Sequence, residues 1–271
     1  MGAMAEPPHV DGVRHRYVEA RGLRFHLAEA GEGDDVVLCL HGWPQHWYEW
    51  RFLLPALAAA GHRVVRCDLR GYGDSPMPTA PWSNRGDVAD LLDALAIETT
   101  AVVGASGGGQ VALEFASRWP SRVTALALLC SALPGHPPSA ALRAFGEAED
   151  ALLEAGEVAG AAQLNVDTWV GPAASAVTRA FVAEMQRHAF EVQLAGLDDV
   201  RPDAAPVDLA ALTMPALVVA GAHDLADFRE IAVRLAGLLP SARHVELDWA
   251  GHLPGLERPE PVNRLLIDFL R

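Results

Sequence analysis

The stretch Gly104-Ala105-Ser106-Gly107-Gly108 puts a serine hydroxyl between glycines two positions before and two after it. An apolar β-forming run, Thr100 to Val103, precedes it, and a helical pattern follows. Where a strand turns sharply into a helix, the corner residue takes a strained backbone, and only small side chains fit beside it. A serine there projects outward as a nucleophile, and the positive end of the following helix favours developing oxyanion charge. The chemistry this predicts is acyl transfer through an acyl-enzyme.

Serine is a weak nucleophile at neutral pH, so it needs a base and a group to orient that base; after a serine of this kind they follow in the order acid, then histidine. The candidate acid is Asp224, just beyond the apolar run Ala216 to Ala220, with Asp227 as its alternative. The candidate base is His252, after the last β-forming run; His223 and His244 are other imidazoles nearby. Both candidates lie beyond the carboxyl ends of predicted parallel strands, where the sites of such sheets gather. An oxyanion needs two N–H donors, and the expectation assigns Gly107, after the nucleophile, and Trp43, in His41-Gly42-Trp43-Pro44 after the run ending at Leu40. Pro44 restricts Trp43, and His41 is read as holding the turn. Asp68-Leu69-Arg70-Gly71-Tyr72-Gly73-Asp74-Ser75 reads as a structural loop pinned by Arg70 with Asp68 or Asp74.

These residues demand a scaffold that lines up strand ends. Short β-rich runs alternate with longer helical ones, the signal of an α/β fold with a mostly parallel sheet and helices on both faces. Eight strands are predicted: 14–19, 24–29, 36–40, 63–67, 100–104, 123–129, 216–220 and 243–247. The first two alternate, as antiparallel edge strands do; those from Val36 onward are more continuously apolar, as strands buried on both faces must be. Helices are expected over 48–60, 85–97, 110–118, 228–239 and 261–270. Between Pro134 and Pro206 the strand signal gives way to an Ala- and Glu-rich helical tract, too long for a plain loop. It reads as an inserted helical lid, residues 134–206, between two parts of one core, 1–133 and 207–271. The lid aromatics are expected mainly to pack between helices; His46, Trp169 and His188 are the candidate substrate contacts.

Composition narrows the partners. The 271 residues are 51% hydrophobic and 21% charged, ample for one large core, and the formal net charge of −14 repels nucleic acid and anionic membranes. The three cysteines, Cys39, Cys67 and Cys130, sit in or beside apolar runs without metal-ligand spacing, which predicts buried free thiols in a reducing compartment. The first residues lack the basic and apolar run of a signal peptide, and no apolar stretch reaches the roughly 20 residues of a membrane helix. The expectation is a soluble, cytoplasmic protein with a small-molecule partner, no metal and no cofactor; the oligomeric state stays open.

On these motifs the chain resembles α/β-hydrolase-fold enzymes over essentially its whole length. His41-Gly42-Trp43-Pro44-Gln45-His46-Trp47-Tyr48-Glu49-Trp50-Arg51 and the Asp68 to Ser75 loop are similar to the corresponding stretches of epoxide hydrolases and haloalkane dehalogenases. Those enzymes carry an elbow aspartate, commonly followed by Trp, where this chain has Ser106 and Gly107. Epoxide hydrolases also use lid tyrosines, yet the three tyrosines here, Tyr17, Tyr48 and Tyr72, all precede the lid. The resemblance therefore implies the serine branch: esterases, lactonases, cofactor-free perhydrolases and C–C hydrolases. The stretch Asn165 to Pro172 onward is similar to hydrolases near 3-oxoadipate enol-lactonases. Ester or lactone cleavage is the primary expectation. A C–C hydrolase would use lid polar groups such as Asn165, Arg179, Gln186 and His188; a third alternative is a ligand-binding signalling protein on the same fold.

Overall fold

The computed structural model describes residues 10–20, 22–43, 47–78, 81–194, 202–203 and 205–271. Eight strands, β1 (Val13–Ala20), β2 (Leu23–Ala30), β3 (Val36–Leu40), β4 (Arg63–Cys67), β5 (Thr100–Ala105), β6 (Val123–Leu129), β7 (Ala216–Gly221) and β8 (Ala242–Leu247), form one sheet in the order β1-β2-β4-β3-β5-β6-β7-β8. Only the β1–β2 and β2–β4 pairings are antiparallel. Every residue of β3, β5 and β7 is buried, which explains why these strands read as unbroken apolar runs. Their side chains still alternate between two cores: Leu38 and Leu40 join one, Val37 and Cys39 the other.

Along the chain the helices are α1 (Leu53–Ala59), α2 (Asn84–Ala94), α3 (Gly107–Arg118), α4 (Ala140–Glu154), α5 (Val158–Trp169), α6 (Ala176–Leu194), α7 (Ala226–Leu238), α8 (Pro254–Glu257) and α9 (Pro259–Leu270). Helices α2, α3 and α7 pack on one face of the sheet, α1 and α9 on the other. Helices α4, α5 and α6 lie between β6 and β7 in the chain, and α5 packs on both α4 and α6. Among the described residues no helix is long and apolar enough to cross a membrane.

Two helices depart from the sequence expectation. The one expected over 48–60 splits into a 3-10 turn, Trp47–Trp50, and α1. Pro55 has no N–H to give the carbonyl of residue 51, so a continuous helix cannot pass through it, while the first turn of α1 tolerates it. Helix α3 begins at Gly107 rather than Gln110. Glycine's poor helix propensity hides that first turn in the sequence, and packing restores it.

Strand β3 lies between β4 and β5, so the chain leaves it to one side and later returns on the other. Such a reversal opens a crevice at the carboxyl ends of the strands. The turn after β3 and the turn after β5 face each other there.

Candidate functional site

Ser106 is the corner between β5 and α3, with φ 49° and ψ −118°. Non-glycine residues at positive φ are uncommon, and a strained one costs about 1–3 kcal/mol. The strain is held by the end of β6 and the residues just after it: the Ser106 N–H donates to the Leu129 carbonyl at 2.9 Å, and the Ser106 carbonyl accepts from Ala132 N–H at 2.9 Å. A side chain at Gly104 would come within 2.6 Å of the Gly108 carbonyl, and one at Gly108 within 2.2 Å of the Leu40 carbonyl. The two glycines thus let α3 lie directly on its own strand and on the end of β3. A serine at a helix N-cap ordinarily spends its hydroxyl on capping. Ser106 makes no such bond, since its backbone turns the side chain away from the helix amides. The Gly107 N–H is the first of α3 and has no acceptor within the helix.

Opposite the elbow, the indole of Trp43 lies over Gly107: a Cβ there would sit 2.3 Å from Trp43 Cδ2. The room that a side chain after Ser106 would take is filled by this indole. The turn is fixed by His41, fully buried, whose Nε2 accepts the Leu69 N–H at 2.9 Å. That leaves the proton on Nδ1, which donates to the Gly42 carbonyl at 2.9 Å. Burial pushes the His41 imidazole below its usual range, so it is a neutral spacer. The Gly42 N–H donates to Glu49 Oε2 at 3.0 Å. Pro44 and His46 lie outside the described residues.

Asp224 follows β7 and His252 follows β8. Their side chains meet in a buried pair, His252 Nδ1 to Asp224 Oδ2 at 2.7 Å. The second oxygen of Asp224 accepts the Leu225 N–H at 2.7 Å, which fixes the carboxylate plane. Nδ1 is thereby engaged and Nε2 is left as the atom able to take a proton. The hydrogen bonds among the described residues join Asp224 to His252 but not His252 to Ser106. Such contacts are often long without substrate.

The alternatives do not converge on this pair. Asp227 accepts the Ser139 N–H at 2.7 Å and sits 3.5 Å from His136, tying α7 to the start of α4. His223 and His244 are exposed. Arg70, expected to pair with Asp68 or Asp74, instead makes a two-pronged bond to Asp87 of α2 at 2.6 and 2.9 Å. Asp68 takes His26 at 2.8 Å and the Asp74 N–H at 3.1 Å. The nearest charge in the chain was the wrong guide because α2 brings a better-placed partner.

Of the expected substrate contacts, Trp169 reaches the site: its ring centroid is 4.7 Å from that of His252. Its indole N–H is spent on Asn165 at 3.1 Å, and its ring is wedged against Phe145 and Phe228. Trp169 is therefore an apolar wall behind the imidazole, with Phe228 edge-on at 4.2 Å. His188 is half-buried on α6. Asn165 is also committed to Glu149 and the Ala161 carbonyl, and Arg179 to the Gly171 carbonyl at 2.8 Å.

Two groups of side chains bring possible metal-ligand atoms within 4.8 Å of one another: Cys130 with Asp224 and His252, and His26 with Asp68 and Asp74. In both, the histidine and an aspartate already share a hydrogen bond. Burial pushes the Cys130 thiol well above its usual range, so it stays protonated and is a poor ligand.

Phe228, Glu49 and Glu257 border the site without having been singled out in the sequence. Phe228 has no local signal. Glu257 had one: Leu253-Pro254 followed by an acidic residue reads as a helix start whose carboxylate reaches back to the preceding amides.

The family model described as the alpha/beta hydrolase fold matches residues 35–192. Epoxide hydrolase 3 of Siraitia grosvenorii is 38% identical over 134 residues, covering 47% of this chain and 42% of that protein. The chain thus spans less than half the length of such curated relatives. Among solved structures, the enol-lactonase from Burkholderia xenovorans LB400 superposes with a TM-score of 0.76 at 25% identity, over 94% of this chain and 99% of that one. Est816, an N-acyl homoserine lactone degrading enzyme, does so with a TM-score of 0.72 at 27% identity, over 94% and 100%.

Proposed function

The chain belongs to the α/β-hydrolase fold family, and on that premise we propose that it is a serine hydrolase cleaving a carboxylic ester or lactone through an acyl-enzyme. The observation that carries this is the strained Ser106, which holds its hydroxyl away from the helix it begins, in a site that also contains the buried Asp224–His252 pair.

In the first half-reaction His252 Nε2 takes the Ser106 proton as Oγ attacks the acyl carbon, and Asp224 steadies the imidazolium. The oxyanion is held by the Gly107 and Trp43 amides. As the bond to the leaving oxygen breaks, His252 returns the proton to it. For a lactone that oxygen stays tethered to the acyl group. Water, deprotonated by His252, then attacks the ester on Ser106; collapse of this second adduct restores the serine and releases the acid. No step calls for a cofactor or metal.

Helices α4 to α6 act as the lid in this reading, within the division 1–133, 134–206 and 207–271. The wall of Trp169 and Phe228 suits an apolar acyl or aryl group. The two full-length structural relatives named for lactone cleavage support the lactone option. The epoxide hydrolase likeness does not carry over, since Ser106 stands where that chemistry uses an aspartate and no tyrosine follows residue 72. For C–C hydrolysis, Asn165 and Arg179 are spent on bonds within the helical insertion, which leaves Gln186, buried with its Oε1 unpartnered among the described residues, and His188 as the groups it would use.

A fluorophosphonate probe should label Ser106, and Ser106→Ala should escape labelling and lose activity on aryl esters and lactones on the order of a hundred thousandfold. Undiminished hydrolysis by that variant would end the assignment. Absence of turnover across the panel, with a ligand-dependent rise in Tm, would favour the ligand-binding alternative.

A further inference from the structure

Glu257 closes the short helix α8, yet its carboxylate is turned back and buried, with the residue 8% exposed. Both oxygens accept the Gly251 N–H at 3.1 Å, and Oε1 also accepts the Leu253 N–H at 3.2 Å. These amides flank His252 on either side. The carboxylate also lies hard against Gly171, two residues beyond α5, whose amide helps to hold it charged. Capping α8 alone would account for the Leu253 bond. It leaves Gly171 unexplained.

The end of α5 meets the histidine turn backbone to backbone. The His252 N–H donates to the Trp169 carbonyl at 2.7 Å. A Cβ on Gly171 would lie 2.3 Å from Glu257 Oε2 and 2.5 Å from the Gly251 nitrogen; one on Gly251 would lie 2.4 Å from the Gly171 nitrogen. A Cβ on Gly221, at the end of the strand that leads to Asp224, would lie 2.0 Å from the Gly251 carbonyl. Three chain segments thus converge where only glycine fits, and Glu257 accepts the amides of one of them while lying against a second. Burial and the nearby Asp224 push its carboxyl up; the three amides pull it back.

We infer that Glu257 is a positioning residue that clasps the His252 turn to the C-terminal end of α5, so that the imidazole and the Trp169 wall behave as one rigid unit. The residues from Trp169 to Gly171 then belong to the catalytic frame, and any opening of the helical insertion pivots elsewhere. This rests on the reading of His252 as the base. Misalignment of the imidazole weakens proton transfer in both half-reactions, so kcat and kcat/KM fall together while KM holds.

The test compares wild type, Glu257→Gln, Gly171→Ala and the double variant on a p-nitrophenyl ester, with rates expressed per site titrated by fluorophosphonate. Glu257→Gln keeps the size of the side chain but loses one acceptor, and about a tenfold fall in kcat per site is expected at unchanged KM. Gly171→Ala should fall similarly, and the double variant by much less than the product, since both break one clasp. A lower Tm with wild-type kcat per site overturns the inference, as does an additive double variant. If a variant does not fold, amide hydrogen exchange of the wild type decides. Gly171, Gly251 and Leu253 should exchange with one common opening, and independent exchange of Gly171 overturns the clasp. Failure of the wild type to label at Ser106 would sink the proposed function instead, which keeps the two failures apart.

Discussion

The turn at His41 to Trp43 and the turn at Ala250 to Leu253 face the same crevice and use the same device, a buried glutamate downstream that accepts backbone amides, yet they are built to different stiffness. In the histidine turn Glu257 accepts the amides of Gly251 and Leu253 and lies against Gly171, and the walls are backbone on backbone. In the His41 turn the Gly42 N–H donates to Glu49, and burial pushes that carboxyl up to about 8. The wall over Gly107 is a side chain, the Trp43 indole, 37% exposed. Backbone contacts cannot yield without moving a segment, whereas an indole can turn. In the proposed reading, the part that aims a proton acceptor is enclosed, and the part that meets the substrate carbonyl has an adjustable wall.

The comparison can be broken most forcefully at the histidine. Asp224→Asn should lower kcat about ten-thousandfold at neutral pH, because an amide holds the imidazole in the wrong tautomer. A fall of less than tenfold per titrated site would remove Asp224 from the triad. Next comes a matched pair. Gly251→Ala drives a Cβ into the backbone of Gly171 and should cost about 3 kcal/mol, read as a Tm lower by roughly 6–10 °C. Gly107→Ala meets the Trp43 ring first, and should shift stability by under about 1 kcal/mol, since alanine also suits a helix start better. Equal losses of Tm would erase the distinction between the two turns.

A change of similar size concerns Glu49. A carboxyl raised from 4.5 to about 8 by burial binds its proton more tightly in the folded chain than in the unfolded one. Its contribution is complete below the unfolded value and is lost as pH rises through about 8. Across one pH unit near neutrality the loss is at most about 1.4 kcal/mol. Glu49→Gln should flatten that dependence in denaturant titrations from pH 6.5 to 8, with stability at acidic pH little changed.

The strands, the helical insertion and the elbow were legible because each follows from local chemistry. Buried strands must be apolar throughout, and a strained corner needs glycines around it. The expected acid and base could be proposed from their place after strand ends, but a one-dimensional reading left Asp227 open as the alternative to Asp224. Arg70 misled for the same reason: its partner Asp87 is 17 residues away and arrives only when α2 packs. Glu257 offered a weak local signal, while nothing near Phe228 in the chain announces a neighbour 24 residues on.

By itself the sequence determined the kind of fold and the identity of the elbow serine, since both depend on what each residue and its immediate neighbours can do. Only the tertiary structure decided which carboxylate meets His252, what fills the space over Gly107, and why Gly171, Gly221 and Gly251 cannot carry side chains. Those are facts of convergence. Segments far apart in the chain compete for the same few cubic ångströms, and packing at close range is settled by where backbones cross.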